Sequence, residues 1–251
     1  MFTLSNFSCG YQSNIIIHNM NVSFPDSSIT SIIGPNGCGK STLLKSMVGL
    51  CCQKEGTILL NGKELLPTHK TVAKQIAYFA QNHNAPSLTV EQLILHGRFP
   101  YLTYPRRYTT DDISICDHVI DELNLNTLRN TCANELSGGE LQRVFFAMTL
   151  VSQAEVFLFD EPNSFLDIKY QLEMLQNMKK LRNDNKTIVA VLHDINYAMQ
   201  ISDQIIVMDH GQIIDYGTPI EIYNRGSVEK VFHVKCELLT GNDGKSHYII
   251  Y

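Results

Sequence analysis

The feature that most constrains the fold is a glycine-rich loop whose spacing matches GxxxxGK[ST]. It reads Gly34-Pro35-Asn36-Gly37-Cys38-Gly39-Lys40-Ser41-Thr42. An apolar run over residues 29–33 precedes the loop and a helical pattern over residues 40–50 follows it, which is how an α/β unit begins. The glycines allow backbone N–H groups to turn inward around phosphates, and the helix N-terminus adds a favourable dipole. The loop therefore predicts a binding site for nucleotide phosphates.

Three side chains of this loop have expected roles. Lys40 is expected to reach the β- and γ-phosphates, and Ser41 to offer its hydroxyl to Mg²⁺. Cys38 stands at the N-terminus of the predicted helix among amide donors, a position that favours the thiolate. We therefore expect a thiol-alkylating reagent to inhibit the protein and a bound nucleotide to protect it.

A second motif supplies two acids. Residues 156–159 are apolar and are predicted to form a strand that ends at Asp160 and Glu161. In a chain with a phosphate loop, the first acid holds Mg²⁺, usually through water, and the next can orient or deprotonate the attacking water. The pair predicts a P-loop NTPase.

The remaining pattern predicts an α/β fold with a mostly parallel sheet. Short apolar strands alternate with helices over residues 156–159, 187–192 and 204–208, as in sheets covered on both faces. Strand patterns at the N-terminus and a hairpin turn at Asn61-Gly62 predict an antiparallel β subdomain. We expect one domain over residues 1–251. Its core and β subdomain would occupy residues 1–81 and 151–251, and a helical subdomain residues 82–150.

A third motif, Leu136-Ser137-Gly138-Gly139-Glu140, begins a predicted helix. Ser137 is a plausible N-cap, and Glu140 stands at capping-box spacing. Two glycines and a serine at a helix N-terminus also form a second phosphate-binding surface. One γ-phosphate does not need two such surfaces from one chain, so the motif indicates a dimer.

The order of these motifs, together with Gln81, Phe165-Leu166-Asp167 and His193, resembles an ATP-binding cassette (ABC) ATPase over essentially the whole chain. The resemblance implies a P-loop NTPase (RecA-like) core, a helical signature subdomain, and ATP and Mg²⁺ as cofactors. It also implies a head-to-tail dimer that encloses two ATP. In that dimer, Ser137, Gly138 and Gly139 of one copy would complete the site formed in the other by Lys40, Ser41, Asp160 and Glu161.

The resemblance also implies roles for single residues. Tyr11 would stack on adenine, and Gln81 would contact both Mg²⁺ and the attacking water. Glu161 would be the general base, and His193 would contact the γ-phosphate. Asp167 would lie at the dimer seam.

Composition limits the partners and the location of the chain. It has 20 Lys and Arg residues against 25 Asp and Glu, a formal net charge of −5, which argues against nucleic acid as a main partner. No apolar run reaches the ~20 residues that a bilayer crossing needs. Seven cysteines, of which Cys51 and Cys52 are adjacent and the other five are scattered without CxxC spacing, predict reduced, mostly buried thiols. We expect a non-exported chain, soluble when isolated, at the cytoplasmic face of the inner membrane.

Three classes of cassette protein compete for this pattern. A chromosome or DNA-repair ATPase would insert a long coiled coil, but only about a hundred residues separate Lys40 from Ser137 and no sustained heptad appears. A translation-type protein would normally hold two cassettes. A transporter subunit would carry one cassette on a short chain and bind a membrane partner.

The segment over residues 90–104 resembles importers of iron–siderophore complexes, haem and cobalamin, as do residues 193–198 and Gly217-Thr218-Pro219. We therefore expect an ATPase that powers such an importer. Its partners would be transmembrane permease subunits and, indirectly, an extracytoplasmic substrate-binding protein. The alternatives are an importer for another metal ion or an oxyanion, or a non-transport ATPase acting on DNA or ribosomes.

Overall fold

The computed structural model describes residues 1–66, 72–81, 83–164, 166–240 and 246–251. Its β-strands are β1 (Phe2–Tyr11), β2 (Asn14–Phe24), β3 (Ile29–Ile33), β4 (Cys52–Leu60), β5 (Lys63–Glu64), β6 (Ile76–Phe79), β7 (Val156–Asp160), β8 (Thr187–Val191), β9 (Gln204–Asp209), β10 (Gln212–Gly217), β11 (Cys236–Thr240) and β12 (Ser246–Ile250). Its α-helices are α1 (Lys40–Met47), α2 (Val72–Gln75), α3 (Val90–Leu95), α4 (Thr110–Glu122), α5 (Gly138–Leu150), α6 (Ile168–Asn183), α7 (Ile195–Ile201), α8 (Pro219–Asn224) and α9 (Ser227–Phe232). Short 3₁₀ helices occupy His96–Tyr101, Asn126–Leu128 and Ala133–Glu135.

The central sheet confirms the predicted α/β class. Its strand order is β10-β9-β3-β8-β7-β6, with parallel pairing from β9 to β6 and antiparallel pairing of β10 on β9. Every residue of β3, β7 and β8 is buried, as their continuous apolar sequences require. Because parallel strands end at the same edge of a sheet, the residues that follow β3, β6, β7 and β8 lie close together.

A second sheet, antiparallel and ordered β2-β1-β4-β5, covers the outer side of α1. Asn61 and Gly62 join β4 to β5 with φ of 52° and 74°, the left-handed conformations of a tight hairpin turn. The apolar side chains of this sheet pack with Leu43, Leu44 and Met47 of α1. The helix that follows the phosphate loop is therefore held between two sheets.

The first helix is shorter than the sequence pattern predicts. We expected it over residues 40–50, but it ends at Met47, and Gly49 follows with a φ of 76°. The backbone N–H of Leu50 bonds to the carbonyl of Lys45, which closes the helix end. This early end also allows β4 to begin at Cys52.

Residues 83–150, which we call the helical region, contain α3, α4 and α5, and a β-bridge joins Thr89 to Cys132. Val90, Ile120 and Val144 of this region belong to the same apolar cluster as Phe159 of the central sheet. The helical region therefore shares its core with the sheet. Its separation as a subdomain stays a prediction, and Asn82, the first residue predicted for it, lies outside the described residues.

A buried ion pair between Arg98 and Asp112 joins separate parts of the helical region. Arg98 Nε donates to Asp112 Oδ1 at 2.8 Å, and Arg98 Nη1 donates to the carbonyl of Val151 at 3.0 Å. The hydroxyl and backbone N–H of Thr109 donate to Asp112 Oδ2 at 2.9 and 3.0 Å. Burial alone would raise the pKa of Asp112, but the hydrogen bonds from Thr109 and Arg98 outweigh it and the pKa falls below its ordinary value.

We expect Asp112→Asn to lower the free energy of unfolding by about 2 kcal/mol, because it removes the charge that pairs with a buried guanidinium. Urea denaturation measures this loss. The matched control is Asp117→Asn, whose partner Arg129 is partly exposed, and it should cost less than about 1 kcal/mol. Since the pKa of Asp112 is lowered on folding, its contribution is present at neutral pH and is lost as the pH falls through the folded-state pKa. Equal losses for the two variants would contradict this account.

Candidate functional site

The loop between β3 and α1 has the shape that its glycines predict. Gly39 has a φ of 106°, and a Cβ there would lie 2.8 Å from Ile17 Cδ1. A Cβ on Gly34 would lie 2.2 Å from the carbonyl oxygen of Met208. Lys40 is buried, and its Nζ donates to the carbonyl oxygens of Gly34 at 2.7 Å and Pro35 at 2.9 Å. The ammonium group therefore lies across the inside of the loop.

Asp160, at the end of β7, connects the loop to the sheet. Ser41 Oγ donates to its Oδ1 at 2.7 Å, and the Tyr78 hydroxyl donates to its Oδ2 at 3.0 Å. Burial raises the pKa of Asp160, and the two hydrogen bonds and the charge of Lys45 oppose this effect. The neighbouring oxygens of Ser41 and Asp160 form a donor set that suits Mg²⁺.

Glu161 lies between two other predicted residues. His193 Nε2 is 2.6 Å from its Oε1, and Gln81 Nε2 donates to its Oε2 at 2.5 Å. Glu161 is buried and has a φ of 54°, an uncommon conformation outside glycine that tends to occur at functional sites. Its backbone N–H donates to the carbonyl of Val191 at 3.1 Å. The ends of β6, β7 and β8 thus bring Gln81, Glu161 and His193 together.

These groups share one open cleft with the phosphate loop. The cleft is lined by Ile16, Asn36, Gly37, Gly39, Lys40, Ser41, Thr42, Gln81, Glu161 and His193. The cleft offers a cation, a carboxylate, an imidazole and backbone N–H groups around a space next to a helix N-terminus. Such a set can bind a polyphosphate and activate a water beside it.

The sequence analysis did not identify Tyr78, which donates a hydrogen bond to Asp160 as Ser41 does. Burial and the nearby Asp160 carboxylate raise the pKa of Tyr78, so the phenol stays protonated and donates. The available signal was a phenol in the short apolar strand β6, three residues before Gln81. Its partner could not be predicted, because the pairing of β6 with β7 is not local in sequence.

Tyr11 lies at the exposed end of β1, outside the lining of the cleft. It is 43% exposed and borders a separate groove with Gly49, Cys51 and Cys52. Burial of its hydroxyl raises the pKa of Tyr11. The exposed ring is available for stacking, and its contact with adenine stays a prediction.

The signature residues Ser137, Gly138 and Gly139, and also Asp167, are predicted to act in a partner's site. Within the described part of their own chain, they do not line this cleft. Ser137 caps α5, its Oγ donates to Glu140 Oε2 at 2.6 Å, and Gly138 and Gly139 form the first turn. Asp167 caps α6 by accepting a hydrogen bond from the N–H of Tyr170 at 3.0 Å. Phe165, quoted with Asp167 in the sequence motif, lies outside the described residues. The roles of these residues in a partner's site stay predictions.

The structure contradicts the expectation of a favoured thiolate at Cys38. The thiol is only 5% exposed, and its Sγ lies 4.0 Å from Lys40 Nζ. Burial raises the pKa of Cys38 and outweighs the opposing effects of Lys40 and the backbone N–H groups. The prediction of a favoured thiolate is therefore wrong, because the loop packs the thiol away from water.

We expect iodoacetamide near pH 7.5 to modify Cys38 at least about tenfold more slowly than the exposed Cys52, since both access and thiolate formation are restricted at Cys38. Mass spectrometry of timed digests measures both rates in one sample. Labelling of Cys38 as fast as Cys52 in the folded chain would contradict the buried geometry.

Comparisons with known proteins identify the family of the chain. Residues 17–164 match the sequence profile of the ABC transporter family. The chain belongs to this family. It is 37% identical over 234 residues to the iron(3+)-hydroxamate import ATP-binding protein FhuC of Bacillus subtilis, covering 92% of this chain and 87% of that protein. It is 34% identical over 233 residues to the ferric enterobactin transport ATP-binding protein FepC of Escherichia coli, covering 92% and 86%.

Solved structures confirm the cassette fold. A metal-chelate type ABC transporter in an inward-facing conformation aligns with a TM-score of 0.84 at 23% identity, covering 100% of this chain and 97% of that chain. A dimeric ATP-binding cassette bound to ADP and Pi aligns with a TM-score of 0.77 at 27% identity, covering 87% and 99%. Among the described residues of this cassette, no helix is both long and apolar enough to cross a membrane.

Proposed function

We propose that this cassette binds and hydrolyses ATP with Mg²⁺ and thereby powers an ABC importer for a metal chelate of the iron–siderophore, haem or cobalamin type. The observation that carries the proposal is the placement of Glu161 between Gln81 and His193, in the cleft that Lys40 and Ser41 also line. The chelate class is supported by the relatives, which are named for import of iron(3+)-hydroxamate and ferric enterobactin.

The cleft fits a nucleotide with its metal ion. Lys40 Nζ lies inside the loop at 2.7 Å from the Gly34 carbonyl, where phosphate oxygens would replace that contact. The oxygens of Ser41 and Asp160 would hold Mg²⁺, with the side-chain carbonyl of Gln81 as a further ligand. When bound, Mg²⁺ neutralises charge on the β- and γ-phosphates.

The residues around Glu161 can carry the hydrolytic step. The carboxylate would accept a proton from the water that attacks the γ-phosphate. Gln81 holds Glu161 Oε2 and would orient the same water. His193 Nε2 now contacts Glu161 Oε1, and because His193 is about half exposed, its ring can turn towards the γ-phosphate.

The complete site requires a second copy of the chain. Ser137, Gly138 and Gly139 begin α5 with backbone N–H groups suited to phosphate, yet they do not border the described cleft of their own copy. A head-to-tail dimer would place them against the γ-phosphate bound by the partner and would place Asp167 at the seam. A dimeric cassette with ADP and Pi has this fold. Two ATP would close the dimer, and hydrolysis would release it.

The membrane partner would be a permease, served by an extracytoplasmic substrate-binding protein, with this cassette at the cytoplasmic face of the membrane. Exposed aromatic side chains support a docking region between His96 and Tyr104. Tyr104 is 97% exposed, and Phe99 is also exposed beside His96. Such residues in a protein interface bury large apolar areas. Nucleic acid is not among the proposed partners.

The experiment is co-purification from membranes of cells that produce the affinity-tagged cassette. We expect a transmembrane permease to co-purify, and metal and chelate analysis of the matching binding protein to find a ferric or cobalt chelate. A permease whose binding protein carries a free metal ion or an oxyanion would overturn the chelate class. Recovery of ribosomes or DNA without a membrane protein would overturn the transport role.

A further inference from the structure

The segment after β6 carries a half-buried histidine, His83, to which the proposed mechanism assigns no role. The His83 ring lies flat on Phe145 of α5, with centroids 3.9 Å apart and planes 9° apart. Its edge contacts Phe79, the last residue of β6, at a centroid distance of 4.9 Å. His83 therefore fills the space between the end of a central strand and the helix that begins with the signature residues.

One ring nitrogen of His83 is buried. Among the described residues, this Nε2 atom has no hydrogen-bond partner. Burying an unpaired polar atom is unfavourable, so packing must hold the ring in place. A parallel ring stack at this distance is a favourable aromatic arrangement.

The aromatic cluster beneath His83 leads directly to the catalytic acids. Phe79 packs against Phe146 and Phe159, and Phe159 precedes Asp160 by one residue. Gln81 lies between Phe79 and His83 in sequence and donates to Glu161 at 2.5 Å. Gln81 therefore lies in the sequence between Phe79 and His83, whose rings are both packed.

We propose that His83 is a positioning residue, which fixes Gln81 against Glu161 by stacking on Phe145 of α5. This inference rests on the proposed function, because Gln81 matters through the hydrolytic step. The stack also connects the segment that carries Gln81 to α5, the helix that Ser137 caps. A shift of α5 would therefore move Gln81. The ring acts through Gln81 and does not itself touch the nucleotide.

The test compares His83→Ala with His83→Phe, which keeps an aromatic ring, and with His118→Ala, the same loss at an exposed position of α4. The full-length chain is used. Amide hydrogen exchange of residues 78–85 reports the order of the segment without any need for activity. We expect His83→Ala to exchange at least tenfold faster there and His83→Phe and His118→Ala to match the parent.

Steady-state kinetics adds a second readout. A displacement of about 1 Å in a positioning group can cost about 100-fold in rate. We expect His83→Ala to lose roughly 10- to 100-fold in kcat with an ATP KM within about twofold of the parent, and His83→Phe to recover kcat to within about threefold. A melting temperature for each variant separates this effect from unfolding.

Parent-like exchange and kcat in His83→Ala would overturn the proposal, and so would a kcat loss that His83→Phe fails to restore. A parent chain that hydrolyses no ATP would instead overturn the proposed function. The exchange measurement would still decide whether the stack orders the Gln81 segment.

Discussion

Glu161→Gln is expected to bind ATP with an affinity within a few-fold of the parent while its turnover falls at least about 100-fold, the contribution of a general base. The substitution keeps the shape of the side chain next to Gln81 and His193 but removes the group that accepts the proton. Lys40 and Ser41, which are expected to bind the phosphates, are unchanged. Because hydrolysis is the step that we propose releases the dimer, the variant should accumulate as an ATP-bound dimer.

Phosphate release measures turnover of Glu161→Gln, and size-exclusion chromatography with and without ATP measures the dimer. The matched control is Glu155→Gln, the same change at an exposed position just before β7, which should hydrolyse ATP at the parental rate. Steady hydrolysis by Glu161→Gln would contradict the assignment of the base. Loss of ATP binding in that variant would show that the carboxylate supports the site structurally instead.

Lys40→Ala is expected to weaken ATP binding itself, by about 100-fold or more, as when one partner of a buried charge pair is removed. Its Nζ lies inside the phosphate loop, where it donates to the carbonyls of Gly34 and Pro35 and contacts Cys38 Sγ. No other Lys or Arg lines the cleft within the described residues. Nothing there replaces the lost charge opposite the β- and γ-phosphates.

Equilibrium dialysis or fluorescence titration with an ATP analogue measures the affinity of Lys40→Ala. The control is Lys63→Ala on the exposed strand β5, which should bind ATP like the parent. Together, Lys40→Ala and Glu161→Gln should separate binding from chemistry. An unchanged ATP affinity in Lys40→Ala would count against its phosphate role.

The sequence predicted the parts of the site that depend on local order along the chain. The loop over residues 34–42 follows an apolar strand, and the two acids stand at the end of another. Parallel strands end at one edge of a sheet. The observed cleft contains Lys40, Ser41, Glu161 and the more distant His193, as that rule requires.

The parts that the sequence could not predict depend on neighbours far away in the chain. Tyr78 donates to Asp160 only because β6 lies beside β7, and His83 stacks on a ring 62 positions later. At Cys38, the local sequence pattern led to a wrong prediction because the surroundings of the thiol could not be predicted. Its position at a helix N-terminus was visible, but the burial that raises its pKa was not.

The signature residues remain outside the site for a physical reason. Ser137 caps its own helix and does not line the cleft of its own copy. The sequence shows the motif, and its proposed place in a partner's site is not part of a single chain. The Glu161→Gln dimer should make that shared site observable.

The most direct test of transport is ATP hydrolysis and iron uptake in lipid vesicles that contain the cassette with its co-purified permease. We expect binding protein loaded with a ferric hydroxamate to stimulate hydrolysis and iron to accumulate in the vesicles, with both effects lost in Glu161→Gln. Hydrolysis that responds to DNA or ribosomes, with no iron or cobalamin taken up, would contradict this expectation.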